Sequence, residues 1–135
     1  MCYRNLLVTI ELEREISKMM GCKHAADLAE LPACPVETTL LLIGNKWQGL
    51  ILRDLILNGT MRFKELQRSI GKVSQKVLTS NLRAMEESGI VHREVFAEVP
   101  PRVEYSLTPL GQTLKPVLDA MWNWGESYKA SLGAD

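Results

Sequence analysis

Apolar residues recur at helical spacing along most of this chain, and residues 74–88 (SQKVLTSNLRAMEES) divide most sharply into two faces. At 100° per residue Val77, Leu78, Leu82 and Met85 gather on one side. Gln75, Lys76, Thr79, Ser80, Arg83, Glu86 and Glu87 gather on the other, with Asn81, Ala84 and Ser88 near the edges. Ser74 is placed to cap the helix, and Gly89 stands where a left-handed residue would end it. The first half of the polar face carries only donors, hydroxyls and positive charge. Its acids wait until the last turn, where the helix dipole disfavours them. That arrangement suits a helix whose N-terminal half points at an anion lattice such as a DNA groove.

The neighbouring segments give this helix a setting. Residues 1–33 read as an N-terminal helical extension. Leu6, Leu7, Ile10, Ile16, Met19 and Met20 make a loose stripe ended by Gly21, and a short helix over 24–31 is closed by Pro32. Cys34-Pro35 opens a helix that runs through Leu40 to Ile43 and is broken by Gly44-Asn45. Residues 46–57 are apolar almost all round (Trp47, Leu50, Ile51, Leu52, Leu55, Ile56, Leu57), which predicts a central core helix with Trp47 packed inside. Asn58-Gly59 supplies its stop. Met61-Arg62-Phe63 predicts a small strand, residues 64–70 a helix, and Gly71-Lys72-Val73 a tight connection into residues 74–88. Two helices joined by so short a turn make a helix-turn-helix.

After Gly89 the apolar period changes from 3.6 to 2. Ile90, Val91, Arg93, Val95 and Ala97 read as one strand, and Val103, Tyr105 and Leu107 as its partner. Pro100-Pro101 between them mark a projecting loop, a wing. Thr108 caps a further helix begun by Pro109, with a stripe of Leu110, Leu114, Val117, Leu118, Met121, Trp122 and Tyr128, and with Trp124 near its end. The stripe is wide for a peripheral helix, so Leu114, Val117, Leu118, Met121, Trp122, Trp124 and Tyr128 are expected at a subunit interface. The fold class expected is mainly α with a small β-hairpin (α+β): a winged helix-turn-helix over residues 34–108, with dimerisation helices in the extension 1–33 and in 109–135.

Formal net charge is zero, which at first argues against nucleic acid. The distribution reverses that impression. Between Lys46 and Arg83 the chain carries eight basic residues against only Asp54 and Glu65, a local excess of six. A concentrated patch attracts phosphates, and charge beyond a Debye length does not cancel it. No stretch is long and apolar enough to span a membrane, and the LLVTI near the start is too short for a signal-peptide core, so a cytoplasmic protein is expected. The three cysteines, Cys2, Cys22 and Cys34, form no disulfide framework.

At this point the ordered motifs resemble the HxlR-type transcriptional regulators, relatives of the MarR-type proteins. The resemblance lies in Cys34-Pro35-Val36, Ile43-Gly44-Asn45-Lys46-Trp47, Arg62-Phe63-Lys64-Glu65-Leu66, Ser74-Gln75-Lys76-Val77-Leu78, Leu82-Arg83 and Gly89-Ile90-Val91. Above all it lies in Pro100-Pro101-Arg102-Val103-Glu104-Tyr105-Ser106-Leu107-Thr108, followed by Gly111. It runs from about Cys34 to Tyr128. Asn45 departs from the pattern, standing where the family commonly has a second glycine. The resemblance implies a homodimer that binds inverted repeats near promoters, and a cysteine at the position of Cys34 that in several members senses quinones, aldehydes or oxidants.

The candidate roles follow. Gln75, Lys76, Thr79, Ser80 and Arg83 are expected at base edges and phosphates of double-stranded DNA, glutamine suiting adenine and arginine guanine. Ser74, Arg62, Lys64 and Lys72 join them as helix cap and phosphate contacts. Arg102 at the wing tip would enter a minor groove or hold a phosphate; its structural alternative is an ion pair with Glu98 or Glu104. Cys34 precedes a helix N-terminus, which stabilises a thiolate toward a small electrophile, although Glu37 in the first turn works against this. Its alternative is a small buried hydrophobe. Cys22 or Cys2 is a lesser candidate for a resolving partner. Cys22, His24 and Cys34 match no zinc spacing, so no metal or other cofactor is expected. His92 reads as a surface residue. No nucleophile–base pair, phosphate loop or carboxylate constellation argues for an enzyme. The expectation is a homodimeric regulator on a pseudo-palindromic operator; the alternative is a winged-helix module that binds protein without DNA.

Overall fold

Pro35 has no N–H to leave unsatisfied, and it opens the first helix, α1 (Pro35–Ile43). The computed structural model describes residues 31–133. The helical stripe expected from Leu6 to Met20, most of the expected helix 24–31, and Cys2, Cys22 and His24 lie outside them. After α1 the order is α2 (Lys46–Asn58), β1 (Met61–Arg62), α3 (Phe63–Ile70), α4 (Gln75–Glu87), β2 (Val91–Phe96), β3 (Arg102–Leu107), α5 (Pro109–Gln112) and α6 (Lys115–Leu132). Asn45 caps α2, its Oδ1 accepting from the Trp47 N–H at 2.9 Å. The departure from the family pattern therefore supplies a cap.

α2 is central, but it is not apolar all round. Ile51, Leu52 and Leu55 are buried together with Asp54, whereas Leu57 is 70 % exposed. The buried arc takes in Asp54 because it lies one turn on from Ile51, on the same side of the helix, and Leu57 falls on the far side. Asp54 keeps a charge partner, since its Oδ1 accepts from Arg53 Nε at 2.8 Å; among the described residues its Oδ2 has no hydrogen-bond partner. Trp47 is half-buried and packs against the core.

The core closes around α2 with Leu66 of α3, Leu78, Leu82 and Met85 of α4, then Ile90 and Val91. Leu66, Leu78 and Met85 have no exposed surface at all. Each such side chain contributes roughly 1.5–3 kcal/mol of burial free energy, so the orientations of α3 and α4 are fixed by packing. α4 ends at Ser88 as expected. Gly89 takes φ 81°, its N–H donating to the Glu86 carbonyl while the Ile90 N–H donates to Met85, both at 3.0 Å. This double closure satisfies the last carbonyls and turns the chain into β2.

The sheet has three antiparallel strands in the order β1-β3-β2, one more than the expected hairpin, because the short strand β1 pairs with β3. The register sets Val91 opposite Leu107, Arg93 opposite Tyr105 and Val95 opposite Val103. The opposite face carries His92, Glu94 and Phe96 across from Ser106, Glu104 and Arg102.

The expected single C-terminal helix is two. Pro116 has no N–H to give back to Gln112, so the helix begun at Pro109 tightens through Thr113→Leu110 and Leu114→Gly111 bonds and restarts as α6. The entry to α5 is tied to the exit from α4. The Thr108 N–H donates to the Ile90 carbonyl at 3.0 Å, its hydroxyl donates to the Gly89 carbonyl, and that hydroxyl accepts from the Gly111 N–H at 3.0 Å. Gly111 is buried in this corner, where a Cβ would run into the Ile90 carbonyl oxygen and lie 3.1 Å from Leu107 Cδ2.

Gly111→Ala is therefore expected to lower unfolding free energy by about 1–3 kcal/mol, the cost of overpacking, as read from urea denaturation midpoints at unchanged slope.

Candidate nucleic-acid interface

Packing decides what α4 offers to a partner. With Leu78, Leu82 and Met85 inside, Gln75, Lys76, Ser80, Arg83, Ala84 and Glu87 are exposed and Thr79 is half-buried. These seven residues line one continuous strip along the outer side of the helix. The strip is roughly 18 Å long from Gln75 to Glu87. The five expected contact residues are brought together as the pattern required. Ala84, at the edge of the helical wheel, and Glu87, on its polar face, extend the strip beyond the five expected contacts.

The N-terminal end of the strip is built by the turn before it. The Val73 N–H donates to the Gly71 carbonyl at 2.9 Å, closing a three-residue turn with Lys72 at its apex. Gln67 of α3 donates through Nε2 to the Val73 carbonyl at 3.3 Å, and Val73 itself is buried. Gln67 is a positioning residue that the sequence reading passed over, since glutamine on a half-polar helix gives no signal of a bond six residues on. Ser74 accepts from the Val77 N–H at 3.2 Å, so its hydroxyl caps α4. Arg62 and Lys64 are exposed at the start of α3, where Glu65 Oε1 accepts from the Arg62 N–H at 3.3 Å. Arg68 in the last turn of α3 adds a further exposed cation.

Arg102, expected to enter a minor groove or hold a phosphate, lies against its own wing. Its guanidinium lies 4.2 Å from the Phe96 ring centroid, with Nη2 3.4 Å from Glu98 Oε1 and Nε 3.3 Å from Glu104 Oε1. The Nε faces Glu104 without a well-directed hydrogen bond. The structural alternative, pairing with Glu98 and Glu104, is the one observed. The loop beyond it, with a cis Val99–Pro100 peptide, is exposed throughout.

Cys34 occupies the N-cap position of α1 and is half-buried; no side-chain bond of its own caps the helix. Its carbonyl accepts from the Thr38 hydroxyl at 3.2 Å. Glu37 is exposed in the first turn, as the sequence anticipated. Among the described residues no group of three His, Cys, Asp or Glu side chains is placed to hold a metal ion, and no helix is long and apolar enough to cross a membrane.

α6 buries nothing completely. Leu114 and Leu118 are half-buried and pack against the core of their own chain. Val117, Met121, Trp122, Trp124 and Tyr128 remain exposed, Trp124 by 69 %, and Trp124 stacks on Tyr128 with ring centroids 5.2 Å apart.

The model of the HxlR-like helix-turn-helix family matches residues 42–132, from the end of α1 to the end of α6. The chain belongs to that family. It is a transcriptional regulator of the helix-turn-helix type, and its family consists of regulators rather than enzymes. It is 47 % identical over 113 residues to the uncharacterized HTH-type transcriptional regulator YdeP of Bacillus subtilis, spanning 84 % of this chain and 86 % of that one. Among solved structures it is similar to the redox regulator HypR in its reduced form, with TM-score 0.69 and 48 % identity over 75 % of this chain and 99 % of that one. The oxidized form of HypR gives TM-score 0.66 and 51 % identity over 70 % and 96 %. The reduced form of the regulator YodB from B. subtilis gives TM-score 0.62 and 38 % identity over 72 % and 95 %. The HxlR-type fold, the winged helix-turn-helix, is thus common to the sequence reading, the structure and its relatives.

Proposed function

We propose that this HxlR-like regulator binds double-stranded DNA as a homodimer, each α4 entering a major groove of a pseudo-palindromic operator. The observation that carries the reading is the outer strip of α4, where Gln75, Lys76, Thr79, Ser80 and Arg83 stand together opposite the buried Leu78, Leu82 and Met85. Such side chains offer amide, ammonium, hydroxyl and guanidinium donors to base edges and phosphates. Lys72 at the apex of the turn, with Arg62 and Lys64, would hold the backbone to either side. The alternative, a module that binds protein only, has no comparable feature behind it.

Dimerisation rests on the apolar side of α6. A monomer that left Val117, Met121, Trp124 and Tyr128 in water would expose a contiguous aromatic stripe, and a second copy related by a two-fold axis would cover it with the same residues. Two such α4 helices would then address half-sites about one helical turn apart. The likeness to HypR, solved oxidized and reduced, supports a thiol-responsive reading in which a small electrophile or oxidant reacts at Cys34. Cys34 stands at the start of α1, where the helix terminus favours a thiolate.

Fluorescence anisotropy with a duplex from upstream of the protein's own coding sequence tests the reading across a salt series. Binding is expected to weaken steeply with salt, and Lys76→Gln to reduce the slope of log K against log salt by about 0.9, one phosphate contact. Loss of affinity with no change in slope would place Lys76 at a base instead, and no binding to any duplex would favour the protein-binding alternative. In the same assay an oxidant such as diamide is expected to change the affinity of the parent protein and not that of Cys34→Ser. Trp124→Asp is expected to convert the dimer to monomer in sedimentation velocity; a dimer that persists would move the interface off α6.

A further inference from the structure

We infer that Arg102 is a positioning residue that holds the wing in shape, and that the surface the wing offers to DNA is its apolar tip, Val99-Pro100-Pro101. The inference rests on the DNA-binding reading of α4. The Arg102 guanidinium has one face against the Phe96 ring at 4.2 Å and its nitrogens 3.3–3.4 Å from Glu104 and Glu98. Phe96 and Arg102 are directly opposite in the β2–β3 register, at the point where the ladder ends and the loop begins. The arginine thus closes the base of the loop: a cation on an aromatic face, bridged to one acid within the loop and one on the strand. To reach a phosphate it would have to leave both carboxylates and the ring.

Charge on the wing argues the same way. Glu94, Glu98 and Glu104 outnumber Arg93 and Arg102 in residues 91–107, and Glu94 lies directly opposite Glu104. Like charges so placed repel one another, and Arg102 is the cation that relieves them. Such a wing gains little from phosphates. Its tip differs in kind, because Val99 is fully exposed and both prolines after it are exposed. Apolar side chains that carry no donor suit the sugar walls of a minor groove, where prolines and aliphatic groups make van der Waals contact. A tip of that sort works only when its approach is fixed, which is the task left to Arg102.

The test uses Arg102→Gln in the full-length protein, with Lys76→Gln alongside and thermal unfolding to confirm that each variant folds. Arg102→Gln is expected to weaken duplex binding about three- to tenfold with no change in the slope of log K against log salt. It is also expected to speed amide hydrogen exchange at Ala97, Glu98 and Val99 in the absence of DNA. Val99→Asp should weaken binding by a similar factor without altering that exchange. A fall in slope of about 0.9 for Arg102→Gln would make it a phosphate contact and overturn the inference while leaving the role of α4 intact. Unchanged exchange in the loop would overturn it as well. If the parent protein binds no duplex, the reading of α4 fails first and the inference with it.

Discussion

The outer strip of α4, and with it the proposed DNA contact, depends on the burial of the opposite face of that helix. Leu78, Leu82 and Met85 are sealed in the core with α2 and β2, and rotating the helix by even one position would bring Lys76 or Arg83 toward a core whose one buried carboxylate among the described residues, Asp54, is already paired with Arg53. Burying an unpaired ammonium or guanidinium costs several kcal/mol, more than any single apolar contact returns. The hydrophobic seam therefore sets the direction of the polar strip. The turn before it refines the position, since Gln67 pins the Val73 carbonyl and Val73 is itself buried.

A second constraint joins α4 to the rest of the chain. Thr108 donates to the Gly89 carbonyl at the end of α4 and caps α5, and Gly111 rests on the Ile90 carbonyl. The exit from α4, the base of the wing and the entry to the C-terminal helices meet at one hydrogen-bonded corner. Leu114 and Leu118 then anchor the start of α6 on the core, while the rest of that helix leaves the body with its aromatic stripe exposed. α6 and α4 thus share a rigid joint, so a two-fold pairing of α6 would also fix the separation of two α4 helices.

The sequence made legible what depends on periodicity and on punctuation. The limits of α4, its Ser74 cap and the Gly89 closure follow from local chemistry, as do the proline-started helices and the strand pairing after Gly89. What it did not show depends on tertiary neighbours. The buried place of Asp54 and the outward place of Leu57 follow from which arc of α2 meets the sheet and α4, and a run apolar nearly all round does not specify that arc. The break at Pro116 was readable in principle, because a proline seven residues into a helix leaves a carbonyl without its donor. The acid partners of Arg102, Glu98 and Glu104, are legible in the sequence, but that it pairs with them is not. The pairing is decided by the register that places Phe96 opposite it, which one strand alone does not reveal.

Amide chemical-shift mapping reads directly where duplex DNA touches the protein. With the labelled full-length protein titrated with duplex from upstream of its coding sequence, the largest changes are predicted over Lys72 to Arg83, with a second group at Val99 and little along the exposed stripe of α6. Changes centred on α6, or spread evenly with none on α4, would contradict the claim that this helix is the DNA-reading element.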